Sequence, residues 1–138
     1  MNLANVIAIS GMPGLFELVT TRNNGLVASD LETGKSNFYS IRKHQFTPLE
    51  TVAIYTYDDT EELKKIFSKM LEEEKSGNLP VDIKSDNLVL MEYFESILPK
   101  YDDDRVFPKD VKKIIKWFHQ LKSHGYFAAD TTGKSEEE

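Results

Sequence analysis

"VAIYTYDDTEELKKIF", residues 52–67, holds the point at which the hydrophobic period of the chain changes. Up to Tyr57 the pattern is that of a half-buried strand, with Val52 and Ile54 alternating with Ala53 and Tyr55. From Leu63 onward the period is helical: Leu63, Ile66, Phe67, Met70 and Leu71 share one face. Glu61 and Glu62 stand in the first turn, where the helix dipole favours acids. The stretch divides the chain into a β half and an α half, with the boundary after Tyr57.

Upstream, short apolar runs alternate with turn signals. The predicted strands are "NVIAIS" (5–10), "LFELVT" (15–20), "LVASDL" (26–31), "NFYSI" (37–41) and "VAIYTY" (52–57). "NNG" at 23–25 and "ETG" at 32–34 read as hairpin turns in which Asn or Gly takes positive φ. Five short strands predict an SH3-like small β-barrel, because closure removes the edges of so small a sheet. Downstream, three amphipathic helices are predicted. The first is capped by Asp59 or Thr60 and frays near "KSGN". The second follows Ser85 or Asp86, with Leu88, Met91, Phe94, Ile97 and Leu98 as its stripe. The third runs from Pro108 to Gly125 and buries Val111, Ile114, Ile115, Phe118 and Leu121. The fold class is α+β: a small β-barrel domain over 1–57, a three-helix domain over 58–127 and a disordered tail over 128–138.

Composition narrows the function classes. The chain has 138 residues, 40% hydrophobic and 29% charged, enough for a packed soluble core. No apolar run approaches the ~20 residues of a membrane helix. "MNLANVIAISG" lacks a basic leader region and reads as the first strand rather than a signal peptide. There is no cysteine, which removes disulfides, thiol catalysis and thiolate metal sites, and the expected compartment is cytoplasmic. The net charge of −6 argues against duplex DNA as a partner, and no membrane partner is expected. Four basic and four acidic residues fall in 1–57, which leaves 13 and 19 of the 17 and 23 for the rest.

Catalytic signatures are lacking. "GMPG" at 11–14 resembles a phosphate loop in glycine content, but a strand follows it rather than a helix N-terminus. The Gly-Lys-Ser strings at 34–36 and 133–135 follow Ser29 and Ala128 where a Walker A loop needs glycine. "GMPG" is therefore a turn, with proline fixing φ and glycine supplying a positive one. Asp102, Asp103 and Asp104 fail the calcium-loop pattern, since Val106 and Phe107 stand at its fifth and sixth positions. They read as a solvated turn able to pair with Arg105 or Lys100. His119 and His124 are five apart and cannot form an i, i+4 zinc pair. No cofactor, no metal and no catalytic residue is predicted.

Two places suggest a partner. On the third helix Lys109, Lys112, Lys113 and Lys116 form one basic strip beside Trp117, suited to RNA phosphates or an acidic protein. In the barrel, Phe38, Tyr39 and Phe46 surround Arg42 and Lys43. Aromatics flanked by basic groups bind peptides or single-stranded nucleic acid. The candidate binding residues are Tyr39, Arg42, Lys43, Lys112, Lys116 and Trp117. Each also has a plain structural reading, the lysines as a solvated helix face and one of Phe38 and Tyr39 as core.

The order of "ISGMPGLFELV", "NNGLVASDLETGK", "LETVAIYTYDD", "LPVDIKS" and "YFESILPKYDDDRVFPKDVKKIIKWFHQL" resembles a bacterial family of uncharacterised proteins. The resemblance spans residues 4–127 and implies an N-terminal barrel-like domain followed by a small helical one. It implies no activity, cofactor or catalytic residue. The expected function is a non-catalytic interaction module for a protein or RNA partner. The alternative is a small enzyme or ligand carrier with a site between barrel and helices, where Tyr55, Asp82 and Tyr101 could meet.

Overall fold

A computed structural model describes residues 3–127. The expected tail at 128–138 lies outside the described residues. The chain forms two compact units. One takes the described residues through Thr51 together with those from His119 onward, and the other takes Val52–Phe118.

The first unit is built on a five-stranded antiparallel sheet. Its strands are β1 (Val6–Ile9), β2 (Leu15–Arg22), β3 (Gly25–Asp30), β4 (Ser36–Ser40) and β5 (Phe46–Pro48), in the order β4-β3-β2-β1-β5. Ile7, Ile9, Phe16, Leu26, Ala28 and Tyr39 form one buried cluster, with Leu18 and Phe46 packed against it. β1 is apolar at every position, so Val6 is buried as fully as Ile7. The β1–β2 loop turns where "GMPG" is expected to, but the hydrogen-bonded turn spans residues 9–12 and Pro13 lies just outside it. The amide of Met12 donates to the carbonyl of Ile9 at 3.1 Å, and Gly11 holds φ +80 at the third position of that turn.

The sheet is not closed, so the described strands form the β part of an α+β fold as an open antiparallel sheet. Among the described residues β4 and β5 are its two edges. The fifth strand is Phe46–Pro48 rather than 52–57. It is short and ends on a proline, which has no N–H to continue a ladder. The chain then turns through the 3-10 segment Leu49–Thr51. The hairpin at "NNG" forms, with Arg22 opposite Gly25, but no non-glycine residue among those described has positive φ. Gly25 answers a different need: a Cβ there would run into the carbonyl of Tyr39 on β4.

In the second unit β6 (Ala53–Tyr55) pairs with β7 (Thr60–Glu62), so residues 52–57 start a hairpin of their own. The helices follow: α1 (Leu63–Lys75), α2 (Asn87–Ile97) and α3 (Pro108–Ser123). Thr60 is a strand residue and no cap; α1 begins after Glu62. α1 buries Leu63, Ile66, Phe67 and Met70, as its period predicts. α2 presents a different stripe from the predicted one. Leu90, Tyr93, Phe94 and Ile97 are buried while Leu88 is exposed. Both sets have helical spacing and share Phe94 and Ile97, so the period alone did not choose between them. α3 buries Val111, Ile114, Ile115, Phe118 and Leu121 as predicted. It stops before Gly125, whose φ of +80 ends the helix. Its residues from His119 onward are grouped with the first unit.

Candidate functional site

The segment joining α2 to α3 is tied to the β6–β7 hairpin. Thr56 bridges Tyr101, the amide of Tyr57 donates to Lys100 at 3.0 Å, and the amide of Asp102 donates to Tyr55 at 2.9 Å. The hairpin turn is fixed by Thr56, whose hydroxyl donates to Asp58 and accepts the amide of Asp59, both at 3.0 Å. Tyr101 is seated edge-on against Phe94, with ring centroids 5.5 Å apart, and Val106 is buried. These anchors hold the residues between them at the surface.

Asp102 organises that surface. Its Oδ1 accepts the amide of Asp104 at 2.9 Å, and its Oδ2 lies 3.7 Å from Nε of Arg105. The Arg105 guanidinium sits over the ring of Tyr55, 4.8 Å from its centroid. Tyr57 stands opposite Lys100 in the pairing of hairpin and connector and is largely exposed. Desolvation first, then the charge and hydrogen bonding of Asp103 and the charge of Asp102, hold its phenol above the ordinary value. Tyr55 is 47% exposed, Tyr57 66% and Phe107 46%. Two of these large rings stand at i, i+2 beside a run of carboxylates, and that arrangement suits a cationic partner.

The carboxylate oxygens of Asp102, Asp103 and Asp104 lie within 4.8 Å of one another, close enough to share a cation. Asp102 is already engaged by the Asp104 amide and Arg105, the pairing that the sequence suggests. Exposed acidic turns commonly have this form without a metal.

The predicted binding residues fall into two groups, one in each unit. Tyr39 is buried, edge-on to Phe16 at 5.5 Å and to His44 at 5.6 Å. Its neighbour Phe38 carries the exposed ring. Arg42 and Lys43 are exposed in the turn after β4, where the Arg42 amide donates to Ser40 Oγ at 3.1 Å. On α3, Lys116 is exposed, and Lys112 and Trp117 are half-buried. Lys113 Nζ lies 5.9 Å from the centroid of the Trp117 ring. Sequence reasoning passed over Tyr57 and Arg105 as partner residues. The signal for them was the pair of tyrosines flanking Thr56, of which Tyr55 alone is named, for the alternative site with Asp82 and Tyr101.

Residues 52–121, half of the chain, match the family model of a domain of unknown function, DUF6852. The chain belongs to the DUF6852 family. The DUF6852 region contains the β6–β7 hairpin and the whole Tyr55–Asp102–Arg105 surface. Residues 3–49 of this DUF6852 chain are similar to a second domain of unknown function, DUF5606. A solution NMR structure from Bacteroides vulgatus, determined by the Northeast Structural Genomics Consortium, is similar with a TM-score of 0.70 and 27% identity. The likeness covers 91% of this chain and 89% of that one. No curated protein matches the DUF6852 chain. Among the described residues no helix is long and apolar enough to cross a membrane.

Proposed function

We propose that this protein is a cytoplasmic, non-catalytic interaction module that binds a protein partner through the aromatic and acidic face of its second unit. The observation that carries the reading is the exposure of Tyr55 and Tyr57 on one rigidly hydrogen-bonded hairpin beside Asp102 and Asp103. Aromatic rings held rigid at a surface supply contact area at low entropic cost, which is why tyrosine is enriched at protein interfaces. The first unit has the role of a scaffold of SH3-like type. All five strands contribute to one cluster, from Ile7 through Tyr39 to Phe46, which supports a strongly coiled sheet.

A second reading assigns an RNA or acidic protein partner to α3, where Lys113 stands over Trp117 and Lys112 and Lys116 flank it. The carboxylates of the connector and the net charge of −6 favour the first reading over RNA.

The two separate in one experiment. Affinity capture from native cells is run with the wild type, with a Tyr55→Ala/Tyr57→Ala variant and with a Lys112→Glu/Lys116→Glu variant. A partner protein lost only in the tyrosine variant supports the first reading. Loss only in the lysine variant transfers the role to α3.

A further inference from the structure

In the first unit β4 is bonded to a neighbouring strand on one side only. The amide of Asp30 donates to the carbonyl of Lys35, and that of Ile41 to the carbonyl of Asn24, both at 2.9 Å. Bonding residues alternate along an antiparallel ladder, so Lys35, Asn37, Tyr39 and Ile41 face the β3 side. Ser36, Phe38 and Ser40 therefore turn their N–H and C=O groups outward. The Ser40 carbonyl is taken by the amides of Lys43 and His44, both at 3.1 Å. The remaining outward groups have no partner among the described residues. Ser36, Asn37 and Phe38 are all exposed, so this edge is uncovered.

Three exposed cations bracket the edge, Lys35 before it and Arg42 and Lys43 after it. Among the described residues none of the three pairs with a carboxylate. The acids of the adjoining β3–β4 turn are engaged elsewhere. Asp30 accepts the Glu32 amide at 2.8 Å, while Glu32 accepts Gln120 at 3.0 Å and faces His124 at 3.2 Å. In a chain of net charge −6 the edge thus has a local basic rim. Phe38 supplies an apolar contact on the outer face of the sheet. It stands opposite Val27, its ring lies beside Gly25, and it is still 47% exposed.

We propose that the β4 edge binds an acidic, extended segment of another protein as an added strand. The segment pairs its backbone with the outward groups of Ser36, Phe38 and Ser40 and sets an apolar side chain beside Phe38. Carboxylates at its two ends meet Lys35 on one side and Arg42 and Lys43 on the other. Main-chain pairing gives the affinity and the flanking charges select the partner. A second copy of this chain fits poorly: a two-fold pairing of β4 with itself sets Lys35 of each copy near Arg42 and Lys43 of the other. Single-stranded nucleic acid meets the cations but has no repeating N–H and C=O to match a strand edge. The site belongs to the first unit and stands independently of the tyrosine face of the second.

The test uses the full chain and a short synthetic peptide of alternating valine and threonine with glutamates at both ends. Two control peptides need no altered protein. One is N-methylated on its central amides, which blocks strand pairing, and the other has lysines in place of the glutamates. Binding is followed by amide chemical shifts and hydrogen exchange in NMR spectra. The expected result is saturable binding of the glutamate peptide, with shifts centred on Ser36–Ser40 and slowed exchange of the Phe38 amide. The N-methylated peptide should not bind, and the lysine peptide should bind about tenfold more weakly. Lys35→Glu/Arg42→Glu should reverse the preference between glutamate and lysine ends. Both side chains are exposed, and far-ultraviolet circular dichroism checks that the variant folds. Equal binding of the N-methylated peptide, or shifts centred away from β4, overturns the proposal. So does a preference that ignores the charge reversal. Tighter binding of single-stranded oligouridylate at the same amides overturns it in favour of RNA. Concentration-dependent shifts of those amides without peptide overturn it in favour of a second copy.

Discussion

The side-chain carbonyl of Gln120 accepts the backbone N–H of Leu15 at 2.8 Å, joining residues 105 apart in sequence. The same amide group presses on Gly14, where a Cβ would stand 3.1 Å from Gln120 Nε2. Its Nε2 donates to Glu32 at 3.0 Å, and His124 reaches the same carboxylate oxygen at 3.2 Å. One glutamine thus ties the end of α3 to both the "GMPG" loop and the "ETG" turn.

Gly14→Ala should destabilise the protein by about 1–3 kcal/mol. The left-handed φ of +77 at Gly14 and the collision with Gln120 act together. Gln120→Ala leaves the part-buried Leu15 amide without its acceptor and should cost about 1–2 kcal/mol. Urea unfolding measures both. A Gly14→Ala/Gln120→Ala variant should lose less than the sum, because the collision is relieved.

Tyr93 is 5% exposed, and its hydroxyl is buried with no hydrogen-bond partner. Burial, with the charges of Glu74 and Glu73, pushes its phenol far above the ordinary value. Tyr93→Phe should therefore be neutral or stabilising, by up to about 1 kcal/mol in thermal melts. The wild type should also lose stability as pH rises above 10.0, where the unfolded phenol ionises and the folded one does not. The phenylalanine variant should lose less over that range.

Glu73 is held below its ordinary value of 4.5, first by a hydrogen bond from Asn78 and then by Lys69. The Asn78 amide lies 2.9 Å away and the Lys69 ammonium 3.4 Å. A lowered carboxyl contributes stability that is present above 4.5 and disappears as pH falls through the folded value. Melting temperature measured from neutral pH downward should drop less steeply in Glu73→Gln than in the wild type. Equal slopes would show that Glu73 is not a source of the acid sensitivity.

Arg105→Ala should change stability by no more than ~1 kcal/mol, as expected for an exposed ion pair. Urea unfolding of the variant beside the wild type measures it.

Helices were the most legible part of the sequence. The α3 stripe from Val111 to Leu121 is the one its period predicts, because Pro108 and Gly125 bracket it and its polar face is strongly charged. α2 was read on the wrong flank because Leu88 and Val89 leave it apolar on more than one side. The strands were legible where alternation or a continuous apolar run was present, and the error lay in their pairing. Residues 52–57 look like any short strand, and nothing local tells them to pair with Thr60–Glu62 rather than with β1. Phe46–Pro48 is too short and too proline-bound to announce itself. The candidate surface was half visible. Tyr55 and the three aspartates stood out as residue types, but the backbone pairing of Thr56 with Tyr101 that brings them together is a long-range contact.

Because the first unit is discontinuous in sequence, its assembly cannot be completed in the order of synthesis. All five strands leave the ribosome well before Gln120 does. Until then the Leu15 amide lacks its acceptor, and Gly14 has no amide packed against it. The nascent sheet must wait some seventy further residues for these contacts with the end of α3. At ~5–20 residues per second that is several seconds of exposure. Chain shortening before His119 should therefore appear in cells as aggregation of the N-terminal sheet rather than as loss of a helix end.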